Sequence, residues 1–209
     1  MAVVTVSRLY GIGGREFGHA LADELGYAYV DKELLGFIAA KSGASEDAVS
    51  YYEGTAPGPA QLFRDFCHRK FPGTRPEIMD PTCYTDVLRA VIEDLARRDR
   101  AVIVGRGGQS ILAGHPRAVH LRLIADREHL VRRLASLPQF AGLPEAELWR
   151  RSERHRQTRR TFVRQHFGCD IEDPLLYDLV MNFGRLTMRE AVQLVAGLLR
   201  SREPAAAGC

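Results

Sequence analysis

AVVTVSRLYGIGGREFGHALADELG, residues 2–26, is the stretch that decides the fold. Ala2–Val6 is a short, uniformly apolar run of the kind that forms a strand buried on both faces. Glycines at 11, 13 and 14 follow it, and HALADELG then places apolar residues at helical spacing. The order is strand, glycine-rich loop, helix, with the helix starting inside the last residues of the loop. Such a junction aims backbone N–H groups and the positive end of the helix dipole at one spot, where an anion is favoured. Gly11, Gly13 and Gly14 let a phosphate approach the backbone closely. A plain structural turn would use the same glycines. Their position where a strand meets a helix favours the cradle.

The segment Gly11-Ile12-Gly13-Gly14-Arg15-Glu16 departs from the standard Gly-x-x-x-x-Gly-Lys-Ser/Thr pattern. No lysine and no hydroxyl follow its glycines; Arg15 and Glu16 stand there instead. The backbone cradle is expected intact, without the side chains that usually serve it.

Bulk properties bound the rest. A chain of 209 residues, 45 % of them hydrophobic, can bury a full core in one domain, expected over residues 1–200 with a disordered tail at 201–209. No apolar run approaches the roughly 18 residues of a membrane span, and no signal-peptide pattern opens the chain. Cys67, Cys83, Cys169 and Cys209 form no C-x-x-C pair. That argues against a zinc site or a disulfide framework and for a reduced, cytoplasmic protein. The net charge of +3 does not imply nucleic acid. Of the 29 basic residues only Lys32, Lys41 and Lys70 are lysines. Arginine abundance is therefore a matter of composition, and only arginine placement informs.

Further along, Tyr27–Val30 reads as a second strand ending at Asp31, and a helical pattern follows through Ala39. Residues 44–82 are broken by prolines and glycines, with a short helix plausible over 60–70. Val87, Leu88, Val91, Ile92 and Leu95 make a helical stripe across 82–98. AVIV (101–104) and VHLRLI (119–124) read as strands. Asp126 is placed to cap the next helix. A long helix is expected over 144–167, a last strand over 179–181 ending at Asn182, and Thr187 caps the closing helix. Short apolar strands alternating with helices predict a parallel sheet covered on both faces. Ligands bind such sheets at the carboxyl ends of the strands. Residues 8–16, Asp31, Gly105–Gly108, Asp126 and Asn182 would gather there.

Three placements could carry chemistry. Arg106, in GRGG directly after a buried strand, can grip a phosphate or carboxylate bidentately, or pair with a buried aspartate. Asp31 can orient a substrate or hold a metal-bound water, or simply cap a helix. WRRSERHRQTRRTFVRQHFG holds seven arginines between Arg150 and Arg164, with Glu153 almost the only acid. Arg156, Arg160 and Arg164 share one helical face, and Arg159 lies beside Arg156. Self-repulsion would strain this helix unless an anion sits near it. Phosphoryl transfer needs such cations; a solvated basic face and an RNA contact are the other readings, the last disfavoured by the scarcity of aromatics. The seven histidines show no metal-ligand spacing, so metal ligands stay unassigned, and Trp149 is expected to anchor the basic helix by packing.

Taken together, SRLYGIGGREFGHALADELGYAYVDKELL, VIVGRGGQSIL and TFVRQHFGCDIEDPLLYDLVMNFGRLTMREAVQLV resemble the cytidylate-kinase-like family. This is a branch of the nucleoside monophosphate kinases within the P-loop fold. The resemblance implies an α/β three-layer sandwich on a mainly parallel five-stranded sheet. It implies ATP on Gly11–Glu16, Mg²⁺, and γ-phosphoryl transfer to a nucleoside monophosphate, CMP or dCMP first. A flap at about 32–85 would bind the monophosphate beside Asp31 and Arg106. The arginine-rich segment at about 144–168 would be a lid, with Arg159 matching the arginine of the lid motif Asp-x-x-Arg, Arg156 standing at its aspartate, and Arg15, Arg156, Arg159 and Arg164 stabilising transferred charge. Because the loop lacks its lysine and hydroxyl, two alternatives stay open. One is a nucleotide-binding protein without catalysis; the other is a kinase for a different small phosphate acceptor. Nucleotides are the expected partners, with no membrane.

Overall fold

The structure is a computed structural model that describes residues 2–31 and 81–202, with backbone alone for 81–87. The expected helix after Asp31, the helix over 60–70, most of the flap and the extreme tail lie outside the described residues.

Along the chain run β1 (Val3–Arg8), α1 (Gly14–Leu25), β2 (Ala28–Val30), α2 (Pro81–Arg97), β3 (Ala101–Val104) and the short α3 (Gly108–Ile111). Then come β4 (Ala118–Ile124), α4 (Arg127–Ala135), α5 (Glu145–Phe167), β5 (Leu179–Asn182) and α6 (Met188–Arg202). Single 3₁₀ turns stand at Pro138–Phe140 and Pro174–Leu176. The boundaries follow the expected chemistry. The Asp126 side chain accepts from the backbone N–H of His129 at 2.8 Å to cap α4. Thr187 and Glu190 bond reciprocally before α6 as a capping box.

All five strands are parallel, in the order β2-β3-β1-β4-β5. The largely apolar β1 lies in the middle, with Val3–Ser7 buried and only Arg8 at its end partly exposed. Strand alternation sorts its residues to two faces. Val4 and Val6 join Val104 and Leu121, Phe17 and Leu21 of α1, and Val195 of α6. Val3 and Ile103 join Leu88 and Ile92 of α2 on the other side. Burying a side chain such as Phe17 or Leu21, both fully inaccessible, stabilises by about 2–3 kcal/mol. The second face also buries Thr5, Ser7, His120 and Arg122. They satisfy one another: Thr5 Oγ1 lies 2.7 Å from His120 Nδ1, and Arg122 donates to Ser7 Oγ at 2.7 Å. Trp149 packs between two apolar clusters, as expected, under the Arg127 guanidinium.

Helix α6 extends to Arg202. Ser201 Oγ donates to the Leu198 carbonyl and Arg202 donates to Asp178, which holds the last turn of α6 in place. Among the described residues no helix is long and apolar enough to cross a membrane.

Candidate phosphate-binding site

Because every strand runs the same way, the ends of β1, β2 and β3 deliver Arg8, Asp31 and Arg106 to one edge of the sheet. The loop after β1 ends at Gly13, which takes φ 88° and stands as the N-cap of α1. Its left-handed dihedral favours glycine, and a Cβ added there would lie 2.7 Å from the mobile end of the Arg133 guanidinium and displace it. Gly14 opens α1, so the backbone N–H groups of its first turn have no helical acceptor. The expected strand–glycine loop–helix junction is present.

Beside it opens a cavity of about 400 Å³ lined by Arg8, Arg15, Asp31, Arg106, Thr158 and Arg159, with an apolar wall that includes Phe162. Among its described lining residues, four guanidinium groups face one carboxylate. Asp31 is buried and accepts from Arg15 Nε at 3.0 Å and from the Tyr29 hydroxyl at 3.2 Å, with Arg8 at 3.8 Å. Burial and the Asp31 charge push the Tyr29 hydroxyl above its ordinary range, so it stays a donor. Arg106 sits at φ 60° between Gly105 and Gly107, both also left-handed. Such a position costs an arginine about 1 kcal/mol or more and is held only where the surroundings require it.

Helix α5 reaches this cavity through Arg159. Arg159 donates to the Arg8 carbonyl at 2.8 Å and lies 6.0 Å over the Tyr10 ring. Burial first, then the charges of Arg8 and Arg122, bring its guanidinium down to about 10; Asp31 compensates only in part. Burial likewise lowers Arg8. Cations held together in this way are stabilised by an anion entering among them.

The other singled-out arginines are placed differently. Arg15 turns to Asp31, so its guanidinium lines the cavity, not the cradle. Arg156 donates to Glu172 at 2.5 and 2.7 Å and to Glu153 at 3.1 Å. Those bonds raise Arg156 above its ordinary value and hold the Glu172 carboxyl below 4.5. Arg160 pairs with Asp170. Arg164 is exposed. The helix therefore escapes self-repulsion through carboxylates outside it, at 170 and 172, which its own composition does not reveal. Arg156 faces a second cavity of about 450 Å³, whose wall also holds Arg122, Trp149, Glu153 and Glu172. Its charges are matched.

Three further residues went unnoticed in the sequence. Arg8 closes an apolar strand, and Arg122 breaks the run VHLRLI; each is a charge where burial is expected, which is the available signal. Arg133 reaches the cradle from α4 and donates to Glu16 at 2.8 Å. No spacing links residues 16 and 133. Among the described residues no trio of His, Cys, Asp or Glu forms a metal cage, and the loop has no hydroxyl for magnesium.

Comparisons with known proteins agree with this geometry. A solved structure of an uncharacterized protein from Eubacterium ventriosum ATCC 27560 superposes with a TM-score of 0.66 at 18 % identity, covering 96 % of this chain and 99 % of that one. Shikimate kinase from Bacteroides thetaiotaomicron superposes at 0.51 with 16 % identity, covering 95 % and 98 %. At such identities the likeness establishes the fold, that of the P-loop kinases. No curated protein matches the chain. The sequence pattern of one family does match, across residues 3–185, from the first strand through the cradle, the cavity and the lid helix to the loop after β5; the chain belongs to the cytidylate kinase-like family.

Proposed function

We propose that the protein transfers the γ-phosphoryl group of ATP to a small phosphorylated acceptor, with CMP or dCMP the first candidates. The observation that supports this most is the clustering of Arg8, Arg15, Arg106 and Arg159 around Asp31 among the described lining residues of the 400 Å³ cavity, directly beside a glycine cradle. The donor triphosphate would lie on Gly11–Glu16 and the acceptor phosphate between Arg8, Arg106 and Arg159, with a flat base against Phe162. An acceptor phosphate oxygen attacks the γ-phosphorus, the bond to the β-phosphate oxygen breaks, and ADP leaves with that electron pair. A dianionic phosphate needs no general base, and the chain supplies positioning and positive charge. Arg15 orients Asp31 and adds charge on the acceptor side. Arg156 holds α5 through Glu172, so its contribution is to position Arg159. A cytoplasmic setting accords with this substrate class.

A second reading rests on Asp31. A buried carboxylate at the acceptor end can take a hydrogen bond from a hydroxyl, and the fold is shared with a shikimate kinase, so a hydroxylated acceptor belongs in the same assay. The test is ADP release from Mg-ATP against nucleoside monophosphates and hydroxylated carboxylates, with Arg106→Ala alongside. Turnover on CMP or dCMP, with acceptor KM raised about 10- to 100-fold by Arg106→Ala, supports the first reading. Turnover on hydroxylated acceptors alone supports the second. ATP binding without ADP release in any mixture refutes both.

A further inference from the structure

The cradle lacks the lysine that contacts the β- and γ-phosphates in the standard loop, and Arg15, next along the chain, is turned away to Asp31. A cation nonetheless lies on the cradle. The Arg133 guanidinium rests against Gly13, where its Nη2 would stand 2.7 Å from any added Cβ. That Nη2 donates to Glu16 in the first turn of α1 at 2.8 Å. Arg133 Nε is buried and has no acceptor among the described residues. One buried donor is therefore unused on the group nearest the cradle backbone.

We infer that Arg133 supplies from α4 the triphosphate-binding cation that the loop itself lacks, and that Glu16 holds it in place while the cradle is empty. This rests on the reading of Gly11–Glu16 as a donor site. A guanidinium suits the role because it binds phosphate oxygens through two parallel N–H bonds, where an ammonium offers a point charge. Glu16 is 58 % exposed and Arg133 30 % exposed. An ion pair so open to water is weak, so a polyanion in the cradle displaces the single carboxylate and takes both Nη2 and the unused Nε.

Calorimetric titration of the full chain with inorganic tripolyphosphate and magnesium tests this apart from turnover. Arg133→Ala is expected to weaken binding about 10- to 100-fold, and Arg133→Lys to recover part of the loss. Glu16→Gln, which removes the competitor, is expected to tighten it. Arg132→Ala removes a charge one residue away, on a side chain paired with Glu128 at 2.8 Å, and is expected to leave affinity unchanged. Thermal melts confirm that each variant is folded. Equal affinity in the wild type and Arg133→Ala overturns the inference, as does an equal loss in Arg132→Ala or no tripolyphosphate binding at all. Binding through Arg133 with no ADP release for any acceptor keeps the inference and removes the phosphoryl-transfer reading instead.

Discussion

Two arginine clusters flank α5, and their described residues differ in charge balance. Around the 400 Å³ cavity, Arg8, Arg15, Arg106 and Arg159 face Asp31. Around the second cavity, Arg122 and Arg156 meet Glu153 and Glu172, with Arg160 on Asp170 just beside them. Among its described lining residues the first holds more guanidinium groups than carboxylates. The second is closed on itself. One residue type thus serves binding on one face and architecture on the other, and the number of carboxylates within reach decides which.

Single substitutions can break this comparison. The largest effect is expected from Arg159→Ala, which removes the half-buried cation that α5 places in the 400 Å³ cavity. Loss of one charge-stabilising donor of this kind lowers kcat by about 100-fold, with the melting temperature unchanged or raised because mutual repulsion with Arg8 and Arg122 is relieved. Steady-state kinetics and a thermal melt on the same sample check both halves. A fall in stability with kinetics intact would place Arg159 among the architectural arginines.

Glu172→Gln should do the reverse. It leaves Arg156 and the buried Arg122 short of a carboxylate, for an expected loss of about 1–2 kcal/mol and a smaller change in turnover. It also carries a pH signature. Arg156 holds the Glu172 carboxyl below the ordinary 4.5. The stability from this pair is therefore complete above pH 4.5 and is lost as pH falls through the lowered value. Melting temperatures followed from pH 7 to 3 should drop less steeply at the acid end in Glu172→Gln than in the wild type. Parallel curves would remove Glu172 as the keystone of the second cluster.

The smallest effect is expected from Arg164→Ala. Arg164 shares the helical face of Arg156 and Arg160 but is exposed, and it merely assists Arg160 in lowering the Asp170 carboxyl. Stability should change by less than about 0.5 kcal/mol and turnover by less than about threefold. A loss as large as that of Arg159→Ala would show that α5 rotates or closes further when ligand binds.

The strand runs, the glycine cradle, the caps at Asp126 and Thr187 and the long basic helix were all legible along the chain, because each depends on neighbours within a few residues. Hydrophobic period and turn chemistry are local properties, and alternating strands and helices leave few ways to cover a sheet. The roles of Arg15, Arg133 and Arg156 were not legible. A helix's period determines which of its residues share a face but not what that face meets. Arg156 meets a carboxylate 16 residues away, and Arg133 meets one 117 residues away. Those meetings depend on strand order and on how α4 and α5 lie across the sheet edge. The sequence by itself determined a parallel sheet with a glycine-rich loop at its carboxyl edge; only the tertiary structure decided which arginines line the cavity beside that loop and which pair with the protein's own carboxylates.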